Sequence, residues 1–419
     1  MAEVELLRCI NCGREYPVGP RFDGCPACRE QGTPSNLTAV YDYAALRRRL
    51  GSDLFQGQGL WRYAALLPAR PDEIVTLYEG NTPLHRLDGI ARELGIKALY
   101  VKDEGRNPSG SFKDRLCAVA VSLAPRFGAK VVTTASTGNA GAAAAAYAAR
   151  AGLPCVIFTL NFVPLPMKVS MQSYGARLVA TEASLDRWTL MARCIQEFGW
   201  YPTSNFVLPP VGANVYGLEG YKTIAFEVWE ALGGLPDRVV MPVCYADGLY
   251  GTWKGFWELQ ELGLTDRIPK MVAGEVYGPL ANALQKNLPA VASVPTPGTS
   301  IAFSIASGLS MQQGLVALRR SQGEALGLHD DAALLRWQQR LGREGIYAEP
   351  SACMSLAALA AQVGAGQVGA DETVVCVLTA TGLKDPAAST AATPPVPVVG
   401  PDMQALARAL QGTYGFTLA

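Results

Sequence analysis

Several short segments of this chain carry side chains able to do chemistry. Cys9-x-x-Cys12 is followed, after a loop holding Pro and Gly, by Cys25-x-x-Cys28. Each Cys-x-x-Cys can make a tight turn that aims two thiolates at one ion, and two such knuckles complete a tetrahedral four-sulfur site with zinc-ribbon spacing. With every position taken by sulfur, none is left for water or substrate, so a Zn2+ held there is structural. Iron in the same ligand set and a disulfide pair are the other readings. Further on, NPSGSFKDR (107–115) places Lys113 in a small, hydroxyl-rich loop. A lysine in an apolar cleft gives up its proton more readily, adds to an aldehyde and later serves as a base. The plainer reading is a helix start, capped by Ser109 or Ser111, with Lys113 and Arg115 on a solvated face.

ASTGNAG (135–141) ends an apolar run and opens an alanine-rich one. Free backbone N–H groups and the helix dipole at such a junction favour an anion, which makes Ser136, Thr137, Gly138 and Asn139 candidates for holding a substrate carboxylate. Near the end, VCVLTATGLKD (375–385) places Thr379 just after an apolar run.

The elements that must position these residues alternate. Short apolar runs read as strands at 98–104, 130–136, 154–160, 177–181, 238–245, 271–276 and 373–379, with helical periodicity between them. That alternation predicts parallel sheets covered by helices, an α/β fold. The helix expected at 139–152 ends at Gly152 before Pro154, and residues 386–401 read as an extended, Pro- and Ala-rich connection to a last helix. At 419 residues with 49% hydrophobic content, the chain can bury more than one core. Thirty-six basic residues balance thirty-six acidic ones, which argues against nucleic acid or an anionic membrane as a partner and for a small molecule. The N-terminus lacks a basic region followed by an apolar stretch, and no run approaches a membrane span, so a cytoplasmic location is expected. Cys117, Cys155, Cys194, Cys244, Cys353 and Cys376 read as buried core thiols.

Taken together, EGNTPLHRL (79–87), NPSGSFKDR, ASTGNAG and VCVLTATGLKD occur in an order that resembles the fold-type II enzymes dependent on pyridoxal 5'-phosphate (PLP). Within that group the chain is similar to the threonine synthase-like branch, some members of which carry an N-terminal zinc ribbon. The resemblance runs from Cys9 to about Asp385. It implies a tryptophan synthase β-like architecture: a ribbon at 1–35, a large PLP-binding domain at 36–129 and 216–419, and a small mobile domain at 130–215. It implies that Lys113 carries PLP and is the catalytic residue, that Asn139 bonds the cofactor's phenolic oxygen, and that Thr379 bonds its ring nitrogen. The cofactor phosphate falls to the backbone of Gly248, Leu249 and Tyr250 in MPVCYADGLYGTWKGF (241–256). There Cys244 and Tyr245 stand where the family usually has Gly and Asn, and Asp247 adds a negative charge that should face away or bind loop amides. A homodimer is common in the family.

The resemblance also bears on the reaction, a β/γ-elimination or replacement on a small L-amino acid. In threonine synthases an arginine just before the EGxKT motif helps hold the substrate's phosphate. Here LEGYKT (218–223) is preceded by Gly217, and the family's Asn-Ser pair appears only as Ser204-Asn205. Losing a bidentate arginine removes roughly 1.5 to 3 kcal/mol of charge-assisted contact. The expected substrate is therefore an L-amino acid other than O-phosphohomoserine, unless Lys222 or Arg115 is recruited. Authentic threonine synthase activity and a non-catalytic PLP- and zinc-binding regulator are the alternatives.

Overall fold

The computed structural model describes residues 4–49, 55–390 and 392–418. Three sheets organise them. The first is antiparallel, in the order β2(Glu15–Tyr16), β1(Val4–Cys9), β3(Leu37–Tyr41), and it carries the cysteine knuckles. Leu37–Tyr41, just past the boundary expected at residue 35, completes this sheet. Cys9, Leu37 and Tyr41 join the same buried apolar cluster as Leu249, Trp253 and Phe256 of the helix Asp247–Glu261.

The large sheet has six strands. In chain order they are β4(Leu84–Arg86), β5(Ala98–Asp103), β10(Arg238–Pro242), β11(Lys270–Glu275), β12(Glu324–Gly327) and β13(Thr373–Leu378), in the spatial order β12-β11-β10-β13-β5-β4. All pairings are parallel except that of the edge strand β4 with β5. A parallel sheet covered on both faces needs continuous apolar strands, and RVVMP of β10 is buried at every position. The small sheet, β8-β7-β6-β9, is wholly parallel and is built from β6(Val132–Ala135), β7(Cys155–Leu160), β8(Arg177–Thr181) and β9(Tyr201–Pro202).

The two parallel sheets are tied together by the helices that follow the motifs. Helix Lys113–Leu123 is buried along nearly its whole length and packs on helix Asn139–Arg150. Six consecutive small residues, Gly141–Ala146, let that second helix approach closely. Arg115 is not on a solvated face. It is fully buried and donates to Glu104 (2.7 Å) and Glu227 (2.7 Å), while Lys102 donates to Glu227 at 2.6 Å. This closed set of charges pins the Lys113 helix to β5 and to helix Lys222–Leu232.

Two further expectations need correction. Residues 386–401 are not extended throughout, because Pro386–Thr390 forms a short helix before the last one, Met403–Tyr414. Cys194 and Cys244 are half-buried rather than core thiols. Among the described residues no helix is long and apolar enough to cross a membrane.

Candidate active site

A cavity of about 480 Å³ opens between the two parallel sheets. Ala135, Leu160, Pro242 and Thr379 line it, each at or just beyond the carboxyl end of a strand. Crevices at that edge are where α/β folds bind ligands, because loops and helix N-termini converge there.

Lys113 reaches this cavity from the first residue of its helix. The loop before it is fixed by two devices. Phe112 N donates to Thr379 O at 2.9 Å, and Ser111 bridges to Ala380, so the SFKD loop and the end of β13 are held side by side. The helix is not capped by Ser109 or Ser111. Asp114 instead reaches back and accepts from Ser109 N (2.9 Å) and Ser109 Oγ (3.0 Å). Lys113 Nζ lies over the Phe112 ring at 4.5 Å and makes no ion pair among the described residues.

Across the cavity, Ser136 Oγ accepts from Gly138 N (3.2 Å) and Gly141 N (2.8 Å), which folds the STGN loop onto the helix it opens. The first intrahelical bond there is Ala142 N to Gly138 O, so the amides of Asn139 and Ala140 have no acceptor within the helix. Asn139 Nδ2 donates to both oxygens of Glu349 at 3.1 Å, and Asn139 Oδ1 is buried with no partner. Glu349 is itself buried. Burial pushes its carboxyl up, while Asn139, Lys384 and Ser304 pull the other way. Motif reading missed this residue; a lone glutamate ahead of Pro-Ser gives no signal beyond a helix start.

The third wall is the N-terminus of helix Asp247–Glu261. Its first helical bond is Tyr250 N to Ala246 O, which leaves the amides of Asp247, Gly248 and Leu249 directed out of the helix. Gly248 and Leu249 line the cavity as expected, but Tyr250 does not: its amide is spent in the helix and its ring packs on Trp253 at 5.5 Å. The expected trio is thus displaced by one residue. A Cβ on Gly248 would lie 2.4 Å from Phe112 Cε2, so glycine is required there. Asp247 also lines the cavity, with Oδ1 accepting from Ala213 N (2.9 Å) and Gln313 Nε2.

These walls fit PLP. A lysine free of anionic partners, a helix N-terminus with open amides beside an obligatory glycine, and a buried amide with an unmet acceptor match an aldehyde, a phosphate and a polar ring. Lys113 would carry the cofactor, Asp247, Gly248 and Leu249 would meet its phosphate, and Asn139 and Thr379 would face its ring.

The four cysteines fit zinc as well. Their sulfurs lie within 4.8 Å of one another, with Cys9–Cys28 at 3.5 Å and Cys12–Cys25 at 3.7 Å. A tetrahedron with Zn–S bonds of about 2.3 Å has edges of about 3.8 Å. A disulfide needs about 2.05 Å, so no pair is bridged.

The arginine question also has an answer in the cavity. Position 217 is not on its wall: a Cβ there would meet Leu116 Cγ at 2.9 Å and Ala120 Cβ at 3.1 Å. Arg115 and Lys222 are likewise absent from it, and Lys222 is held by Glu219 (2.7 Å) and Glu258 (2.8 Å). Arg187, which sequence reasoning passed over, does line the cavity, together with Ser204, Asn205 and Tyr245.

Comparison with known proteins agrees with this picture. Residues 75–380 match the family described as "Pyridoxal-phosphate dependent enzyme". The chain is similar to the threonine synthase of Methanosarcina acetivorans, at 37% identity over 91% of this chain and 92% of that one. It is also similar to that of Methanocaldococcus jannaschii, at 35% identity over 97% and 99%. Among solved structures, diaminopropionate ammonia lyase from Escherichia coli shares the fold with a TM-score of 0.63 at 18% identity, covering 76% of this chain and 89% of that one. Maize serine racemase does so with a TM-score of 0.61 at 22% identity, covering 72% and 88%.

Proposed function

Since the chain belongs to the PLP-dependent enzymes, in their threonine synthase-like branch, we propose that it eliminates phosphate from Cγ of O-phosphohomoserine and adds water at Cβ to give threonine. One observation carries this reading: a cavity that holds Lys113 and the STGN loop also holds a buried arginine, Arg187. The expectation of a different substrate rested on the missing arginine at position 217. Arg187 offers a guanidinium from another element, which supports this reading, while the reversed Ser204-Asn205 pair and Tyr245 still stand against it.

When bound, PLP withdraws electrons from the substrate's α-carbon. This chain's residues do the rest. The open amides at Asn139 and Ala140 bind the substrate carboxylate. Lys113 Nζ, set over Phe112 with no ion-pair partner, is placed to take the α- and β-protons and to return protons to the α- and γ-carbons. Thr379 can donate to a ring nitrogen but cannot protonate it as an acid would, which moderates electron withdrawal and suits a reaction whose leaving group takes the charge away.

A second reading keeps the chemistry and changes the amino acid. Cys244 and Tyr245, both on the cavity wall, favour it because they reshape the floor beside Arg187. The test is one panel: PLP-loaded protein with O-phosphohomoserine, O-phosphoserine, serine and diaminopropionate, with phosphate, ammonia and keto acid release followed in parallel. Threonine and phosphate in equal amounts support the first reading. Products only from another amino acid replace it with the second.

A further inference from the structure

Resting on that reading, the geometry points to Arg187 as the residue that grips the phosphate carried on the substrate's side chain. Arg187 is the second residue of helix Asp186–Phe198, in the part of the chain that forms the small parallel sheet. It is only 6% exposed, yet it lines the catalytic cavity. Its protein partners are neutral and come from one residue: Nε donates to Ser184 O at 3.1 Å and Nη2 to Ser184 Oγ at 2.8 Å. Among the described residues no carboxylate lies within ion-pair distance. A buried arginine ordinarily has an acidic partner, as Arg115 has two, because an uncompensated charge away from water is costly. Here burial pulls the guanidinium down from its usual range, with only Tyr245 and Cys244 opposing.

What surrounds it suits a phosphate better than a carboxylate alone. Ser204 and Asn205 line the same cavity; Ser204 Oγ accepts from Ala135 N at 2.9 Å, and Asn205 Nδ2 spends one hydrogen on Val207 O at 2.9 Å, which leaves its second for an anion. Trp188 packs against Tyr245 with ring centroids 5.8 Å apart, which holds the start of this helix against the loop after β10. Two bonds to Ser184 fix the guanidinium plane, so little side-chain freedom remains to be lost when an anion docks. The STGN loop and Arg187 therefore address the two ends of one small dianionic amino acid: the loop holds the carboxylate and the arginine the distal phosphate. Within the threonine synthase-like pattern this is a relocated grip, since the position before LEGYKT is the buried Gly217.

The experiment compares O-phosphohomoserine with L-homoserine, which lacks only the phosphate. Affinity for the PLP-loaded protein is read by calorimetry and by the visible spectrum, for the wild type, Arg187→Met and Arg187→Lys. The expected result is a wild-type preference for the phosphorylated amino acid, lost by on the order of 10- to 100-fold in Arg187→Met and partly kept in Arg187→Lys, with homoserine affinity unchanged. An equal loss for both ligands, or none for either, overturns the assignment. If the preference depends on Arg187 but no threonine forms, the grip stands and the proposed reaction falls. If threonine forms equally well in Arg187→Met, the reaction stands and the grip falls.

Discussion

Asn36 Nδ2 donates to Ala213 O at 3.0 Å, and the amide of the same Ala213 donates to Asp247 Oδ1 at 2.9 Å. The edge of the cysteine ribbon is thus joined, through one residue, to the first residue of the helix whose open amides are proposed to meet the cofactor phosphate. Gly212 fits against Asn36 so closely that a Cβ there would lie 2.4 Å from Asn36 Nδ2. Asn36→Ala in zinc-loaded protein should therefore weaken PLP binding by about 5- to 10-fold, the effect of one buried hydrogen bond. Stripping the metal should weaken it at least as much. PLP titration followed by absorbance checks both, and an unchanged affinity in both would show that the ribbon only adds stability.

Gly248 lines the cavity at the N-terminus of this helix, where the cofactor phosphate is proposed to sit. A methyl group there meets Phe112, whose backbone amide is already tied to Thr379 O. Gly248→Ala should cost about 1 to 3 kcal/mol of stability and reduce PLP affinity together. Thermal melts with and without PLP separate the two effects: the rise in melting temperature on adding PLP should shrink in the variant.

Gly217→Arg would place an arginine at the position where the resemblance to threonine synthases leads one to expect it. The chain here packs Leu116 and Ala120 against that site, so the variant should be destabilised, with no gain in affinity for O-phosphohomoserine. A stable variant that bound it more tightly would show that position 217 can open onto the cavity.

Glu227 couples the Lys113 helix to acid stability. Burial alone would raise its carboxyl, but Arg115 and Lys102 more than reverse that and hold it at about 2, below its ordinary 4.5. A depressed carboxylate contributes stability that is complete above its unfolded value and is lost as pH falls through the folded one, here between about 4.5 and about 2. Glu227→Gln should cost about 3 to 5 kcal/mol at neutral pH by leaving Arg115 and Lys102 undercompensated, and should flatten the acid limb. Denaturant titrations across pH check this.

What could be read from the sequence was whatever is carried by contiguous residues. Lys113, the STGN loop, Thr379, Gly248 and Leu249 all meet at one cavity because each closes or opens an element whose apolar run announces it. The strand ends at Pro242 and the helix begins at Asp247, so the open amides are those of 247–249, where the motif suggests 248–250. β4 and β12 escaped notice because three and four residues carry too little periodicity. Arg187 and Glu349 escaped for a different reason. A charged residue at a helix start reads as solvated surface, and only the tertiary fold reveals that neither one faces water.

Lys113 is the proposed carrier of the cofactor. Borohydride reduction of the PLP-loaded protein, followed by peptide mapping with mass spectrometry, tests that directly. The predicted result is a pyridoxyl group on Lys113 alone, within NPSGSFKDR, and none after Lys113→Ala. A label on another lysine, such as the half-buried Lys384, or no label in a protein that still converts its substrate, would contradict it.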